Sequence, residues 1–193
     1  GFEDYGAVFV DEAHLLSEEP LKRIIRAAGT RPVIFSSDCE DQLSPEEADR
    51  SAKNELEKLP GIQLFRLKNR IRTNAEISSF IQNLMHLPDR KTTRHFPNVT
   101  VLYANDEREA ENLMLDAGEH GFQILSRQED NGKTMDRLAV LLDEKYYYDE
   151  NRYLRSQAHT VRTLFYRLNG AKEKLMIVVK ENAPVYERVL ELL

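Results

Sequence analysis

Apolar residues in this chain come in short runs and helical stripes that alternate with one another. Ala7, Val8, Phe9 and Val10 form a continuous apolar run ending in acids, the pattern of a buried, parallel strand. Ser17 then stands as an N-cap, with Glu18, Glu19 and Pro20 in the first turn of a helix that stops near Gly29. Residues 33–36 read as a second buried strand, Ser44 opens a helix to about Leu59, and 62–67 read as a third strand after the Pro60-Gly61 turn. Asn74 caps a helix in which Ile77, Phe80, Ile81 and Leu84 make one apolar stripe, stopped by Pro88. Residues 88–98 hold three basic side chains, two prolines and little apolar content, which places a linker at 89–98. Beyond it, 99–103 is a strand and an acidic helix turns Ala110, Leu113, Met114 and Ala117 inward. Strands follow at 122–125 and 138–142, and a tyrosine-rich hairpin or extended loop at 145–154. Val161, Leu164, Phe165 and Leu168 mark a helix, 175–179 a strand, and Tyr186, Val189, Leu190 and Leu193 a closing helix. Alternating strands and helices predict an α/β fold, a parallel sheet flanked by helices, in two units at 1–88 and 99–193.

The first strand run ends in Asp11-Glu12-Ala13-His14, two carboxylates at the carboxyl end of a strand, the edge where open α/β sheets bind ligands. A nucleoside triphosphate site needs one carboxylate to hold Mg²⁺, usually through water, and a second to orient or deprotonate the attacking water. Adjacent Asp11 and Glu12 can divide these tasks. His14 either couples the pair to another site or packs at the strand end.

This stretch resembles the Walker B motif, in its DEAH form, of helicases and RecA-like ATPases. Phe35-Ser36-Ser37-Asp38 followed by Gln42 is similar to motif III of superfamily 1 helicases, with Ser37 in place of the usual glycine and one extra residue before Gln42. Leu67-Lys68-Asn69-Arg70-Ile71-Arg72-Thr73-Asn74 resembles motif IV. The resemblance covers residues 7 to 193 and points to the schlafen-like helicase/ATPase group. It implies a RecA-like P-loop NTPase fold, with part of a first RecA-like domain and a complete second one. It also implies Asp11 as the Mg²⁺ residue, Glu12 as general base, and Gln42 and Arg72 as readers of the γ-phosphate. A cation at Arg72, two residues before the Asn74 cap and so beside the positive end of a helix, is disfavoured by the helix dipole unless an anion faces it.

Two later motifs depart from the family. Gly132-Lys133-Thr134-Met135-Asp136 is similar to motif V, with Thr134 where the family has glutamate. Residues 164–175 follow motif VI, with Gly170 at the first arginine's position and Lys172 at the second's. An arginine finger is worth about 10³–10⁵ in rate where tested, so its loss bears directly on ATP hydrolysis unless Lys172, Arg167 or Arg162 substitutes.

Gly132-Lys133-Thr134 also contains the last residues of a P-loop. Arg127 stands where that motif needs its first glycine, Glu129 and Asp130 would repel phosphates, and an apolar strand rather than a helix is expected next. The chain thus pairs a Walker B pattern with no Walker A. The resemblance then implies the C-terminal portion of a longer ATPase, partnered by a P-loop part of the same protein.

Composition adds limits. The chain has 193 residues, 27 basic and 33 acidic, for a net charge of −6, so a strongly basic nucleic-acid binder is excluded while a local basic groove is not. Arg66, Lys68, Arg70 and Arg72 lie within one segment, and Arg90, Lys91 and Arg94 in the linker. These are candidate phosphate contacts or solvated charges. Tyr146, Tyr147, Tyr148 and Tyr153 read as inter-strand packing before base stacking. Cys39 has no partner, which excludes a disulfide framework, and His86, His95, His120 and His159 have no ligand spacing. No apolar run reaches the roughly 18–20 residues of a membrane span, and no basic leader precedes an apolar run at the start. A cytoplasmic protein is expected.

Three functions remain open: a helicase-type ATPase acting on single-stranded DNA or RNA, a degenerate helicase-like module that only binds, and a permuted NTPase using Lys133. The first two share an expected outcome. Calorimetric titration of the isolated chain with a nucleotide analogue should show no tight binding, whereas binding abolished by Lys133→Ala would favour the third.

Overall fold

The computed structural model describes residues 5–37, 43, 53–65, 73–87, 90, 95–124, 134–158 and 160–193. The chain divides into two compact units, Gly1–Lys68 and Asn69–Leu193. Among the described residues no helix is long and apolar enough to cross a membrane.

The first unit opens with strand β1 (Val8–Val10), a 3₁₀ turn (Ala13–Leu15) and helix α1 (Glu18–Ala28), then strand β2 (Val33–Phe35) and the short helix α2 (Lys53–Glu57). Helix α1 begins after Ser17 with acids in its first turn and ends at Gly29, whose φ of 62° is a conformation glycine alone adopts freely. Strands β1 and β2 pair in parallel, Val8 with Val33, Phe9 with Ile34 and Val10 with Phe35. One face packs on a core of Ala13, Leu21 and Leu56, joined by Val10, Ile25, Phe35, Leu59 and Ile62. The other face is open: Phe9 is 75% and Ile34 51% exposed. The run was expected to be buried on both sides, and it is covered on one. The strand expected at 62–67 does not form over its described part. Ile62 packs on the core but closes a turn onto Leu59, and Phe65 is 85% exposed. Of the helix expected from Ser44, only its end, α2, lies among the described residues.

The second unit contains α3 (Ala75–Leu84), β3 (Val99–Ala104), α4 (Glu107–Glu119), β4 (Gln123–Ile124), β5 (Met135–Leu142), β6 (Tyr146–Tyr148), β7 (Leu154–Ser156), α5 (Val161–Leu168), β8 (Ala171–Lys180) and α6 (Ala183–Leu190). Its sheet has four parallel strands in the order β3-β8-β5-β4, as the alternating pattern predicts. Strand β8 is interior, and Leu175, Ile177, Val178 and Val179 are fully buried. Alternation sends Val178 and Met176 to the α4 side, where they meet Ala104, Ala110, Leu113 and Met114. Helices α3 and α6 also pack on β8. In the closing helix Val185 and Val189 face the core, whereas Leu190 and Leu193, expected inward, are exposed.

Helix α3, expected within a first domain at 1–88, falls in the compact unit Asn69–Leu193. Asn74 caps it by accepting from the Ile77 amide at 2.8 Å, and the apolar stripe is fully buried. Glu76 accepts from the backbone amide and the side-chain amide of Asn98, both at 2.8 Å, and Tyr148 donates to the Leu84 carbonyl at 3.0 Å. Phe96 and Asn98, placed in the expected linker, are structural: Phe96 packs edge-on against Phe80 at 5.4 Å. Short-range composition could not reveal these long-range bonds. Phe80→Ala should therefore lower stability by about 3–5 kcal/mol through a cavity, measured by urea unfolding followed by circular dichroism, with Phe80→Leu costing far less.

Candidate functional site

The acidic pair is built by two strand ends. Parallel pairing in register carries β1 and β2 to the same edge, so the residue after each run, Asp11 and Ser36, meet there. The Ser36 hydroxyl donates to Asp11 Oδ1, and the Glu12 amide donates to the same oxygen at 3.0 Å. The Glu12 amide also reaches Ser36 Oγ at 3.3 Å, and the Ala13 amide donates to the Ser36 carbonyl at 2.8 Å. These bonds hold the chain where Glu12 adopts φ 53° and ψ 40°, a left-handed conformation that a glutamate enters only when its surroundings compensate. The Ser36 hydroxyl first, then the Glu12 amide, holds the Asp11 carboxyl below its ordinary 3.8. His14 is buried beneath, its Nε2 3.5 Å from Glu12 Oε2. It sits at the strand end and touches the pair.

Asp11, Glu12 and Ser36 offer oxygen donors, which suit Mg²⁺, beside the ring nitrogen of His14. Among the described residues no group of three or more His, Cys, Asp or Glu side chains could hold a metal ion. An ion held by Asp11 would therefore take its other ligands from water and phosphate.

In the second unit the segments that resemble motifs IV and VI come together. Thr73 Oγ1 donates to the Asn169 carbonyl at 2.6 Å, and the Gly170 carbonyl accepts from the Met135 amide at 2.8 Å. The turn before β8 is thereby tied to α3's leading residue and to β5. Lys172, next along, is exposed at the start of β8. Thr134 is exposed and runs directly into β5, so no helix N-terminus follows it and the P-loop reading lacks its anion cradle. Gln42, Arg72, Arg66, Lys68, Arg70, Lys91, Arg94, Cys39, Gly132 and Lys133 lie outside the described residues. Arg90 is described, and its Nη1 donates to the Leu87 carbonyl at 3.0 Å.

The tyrosine run divides by alternation. Tyr146 is buried and Tyr148 is largely buried with its hydroxyl on Leu84, where desolvation raises its pKa. Tyr147 points the other way and is 44% exposed. Ser36 and Thr73 are site residues that the sequence reading did not single out. The signal for Ser36 was available: it ends its apolar run as Asp11 ends the first, and in-register parallel pairing brings the two ends together.

No protein-family model matches the chain, and no curated protein sequence matches it.

The Asp11 geometry carries a signed pH expectation. A depressed carboxylate contributes its bonding in full above 3.8, and loses it as pH falls through the lower native value. Carboxyl NMR titration should find Asp11 titrating below 3.8 in the wild type and moving upward in Ser36→Ala.

Proposed function

We propose that this chain supplies the Walker B segment and the second RecA-like unit of an ATP-dependent helicase of the superfamily 1 type, acting on single-stranded DNA or RNA in the cytoplasm. The observation that carries the reading is the Asp11–Glu12 pair at the carboxyl end of a parallel strand, with Asp11 held in place by the hydroxyl of Ser36 on the neighbouring strand. The tie between Thr73 and Asn169 supports it further, because it joins the two segments that resemble motifs IV and VI.

In this reading Asp11 would hold Mg²⁺ through water, and the ion would supply neutralising charge to the phosphate oxygens. Glu12 accepts the proton of the attacking water. His14, buried against Glu12, limits where that carboxylate can swing. The chain carries no Walker A pattern, so the triphosphate is cradled by a P-loop part of the same protein. Gln42 and Arg72 report the γ-phosphate, and Lys172 is the remaining cation of the motif VI segment.

A second reading is favoured by one observation. Gly170, where the family has its first motif VI arginine, is buried with its carbonyl bonded to Met135. The turn holds no cation at that position, as a non-catalytic platform for nucleic acid or protein would allow. ATP hydrolysis by the intact ATPase, measured with and without single strand, separates the two. The first reading expects strand-stimulated turnover that Glu12→Gln lowers by about 10²–10⁴-fold while nucleotide affinity persists. Equal inactivity of wild type and variant gives the second.

A further inference from the structure

The hairpin that leaves β5 holds a feature the ATPase reading does not use. Strands β6 and β7 pair antiparallel, with Tyr147 opposite Arg155 and Tyr148 opposite Leu154. Opposed residues share a face, so the exposed Tyr147 lies on the side of the Arg155 guanidinium. Arg155 in turn sits with Cζ 5.4 Å from the centre of the Tyr153 ring, and its Nε donates to Asp149 Oδ2 at 2.8 Å. On Tyr153 stands His86 from the end of α3, ring centres 5.6 Å apart and planes at 87°. Four flat groups therefore succeed one another: Tyr147, Arg155, Tyr153 and His86.

The charge around this row differs from that of the chain. Arg90, Arg152 and Arg188 act on the His86 ring against one carboxylate, Asp149, although Arg188 is itself paired with Glu191 and Arg155 with Asp149. Burial first, then these arginines, push the His86 pKa below its ordinary 6.5, so at neutral pH the ring is an uncharged aromatic.

Two backbone positions mark the row as something beyond packing. His86 has φ 57° and occupies the left-handed residue that closes α3, with Leu87 N bonded to the Gln82 carbonyl and His86 N to the Asn83 carbonyl. That helix-ending arrangement prefers glycine. Arg152, at the hairpin turn, has φ 67°. In both places, as at Glu12 and Glu181, the chain puts a large side chain where glycine would be more stable.

We propose that this row is a binding surface for single-stranded nucleic acid, on which bases stack against Tyr147, Tyr153 and His86 while the exposed Arg152 meets phosphate. Flat aromatic and guanidinium groups flanked by cations suit unpaired bases, whose faces a duplex hides. An acidic peptide would use the arginines but not the rings. The proposal rests on the preceding reading for the class of partner, and it adds where on the second unit that partner is held.

The test uses the 193-residue chain with fluorescein-labelled oligothymidine and oligouridine strands, read by anisotropy across a salt series. The variants are His86→Gly and Arg152→Gly, which relieve the left-handed backbone and so keep the fold, checked by melting in circular dichroism. The wild type binds at least one strand. His86→Gly weakens binding about tenfold, Arg152→Gly lowers the log–log salt slope by about 0.7, and neither lowers the melting temperature. Three results would overturn the proposal: no binding of either strand by the wild type, variants that bind as the wild type does, or unlabelled polyglutamate competing as well as unlabelled strand. Strand binding should persist in Glu12→Gln. A wild type that binds no strand, beside an intact ATPase that Glu12→Gln inactivates, overturns this surface and leaves the ATPase reading standing.

Discussion

Strand β8 must satisfy backbone bonds on both sides, and that requirement sets the rest of the second unit. Its register with β3 on one side and β5 on the other is fixed over Leu175–Val179 by side chains that have no room to sit elsewhere. A slip by one residue would exchange the faces and turn Val178 away from Ala104 and Ala110. At its amino end the register presents Asn169 and Gly170 to Thr73 and Met135. At its carboxyl end it brings Lys180, nearly buried, between Glu107 and Glu144, which raise its pKa and keep it charged. Asn182 follows, capping α6 and donating to the carbonyls of Asp143 and Tyr146, so the hairpin is seated by the same strand.

This arrangement places two groups of residues at opposite ends of the sheet. Segments that resemble phosphate-sensing motifs gather before the amino end of β8, where the turn is stitched by backbone and hydroxyl bonds. The aromatic and arginine row lies on the hairpin that leaves β5 at its carboxyl end, seated on α3 through Tyr148 and Leu84. The parallel sheet is a spacer between them. In the first unit the same logic works in small: two parallel strands end together, and the polar residues that follow them are forced into contact.

Much of this was legible from the sequence, because it depended on local patterns. The i, i+3, i+4, i+7 stripe of Ile77, Phe80, Ile81 and Leu84 gave α3, and Asn74 gave its start. Acids and proline after Ser17 gave α1, and continuous apolar runs gave the parallel strands. What escaped was set by partners distant in sequence. Glu76 reaches Asn98 and Tyr148 reaches Leu84, so α3 joins a unit that begins well before the linker its flanks suggested. The strand expected at 62–67 had the right residues but finds no ladder over its described part, and Phe65 stays in solvent. The tyrosine run looked uniform, and only the pleat shows that Tyr146 and Tyr148 are structural while Tyr147 is presented outward. At the acidic site the carboxylates stand out by their own pattern, whereas Ser36 stands out only once the two apolar runs are paired in register.

In the proposed function Asp11, positioned by the Ser36 hydroxyl, is a cation-holding residue rather than a polar strand end. Amide NMR spectra of the chain titrated with millimolar Mn²⁺ test it most directly, because a bound paramagnetic ion broadens the signals nearest to it. The expected result is selective broadening of Asp11, Glu12 and Ser36 that disappears in Asp11→Asn. Broadening that spares these residues, or that survives Asp11→Asn unchanged, would contradict it.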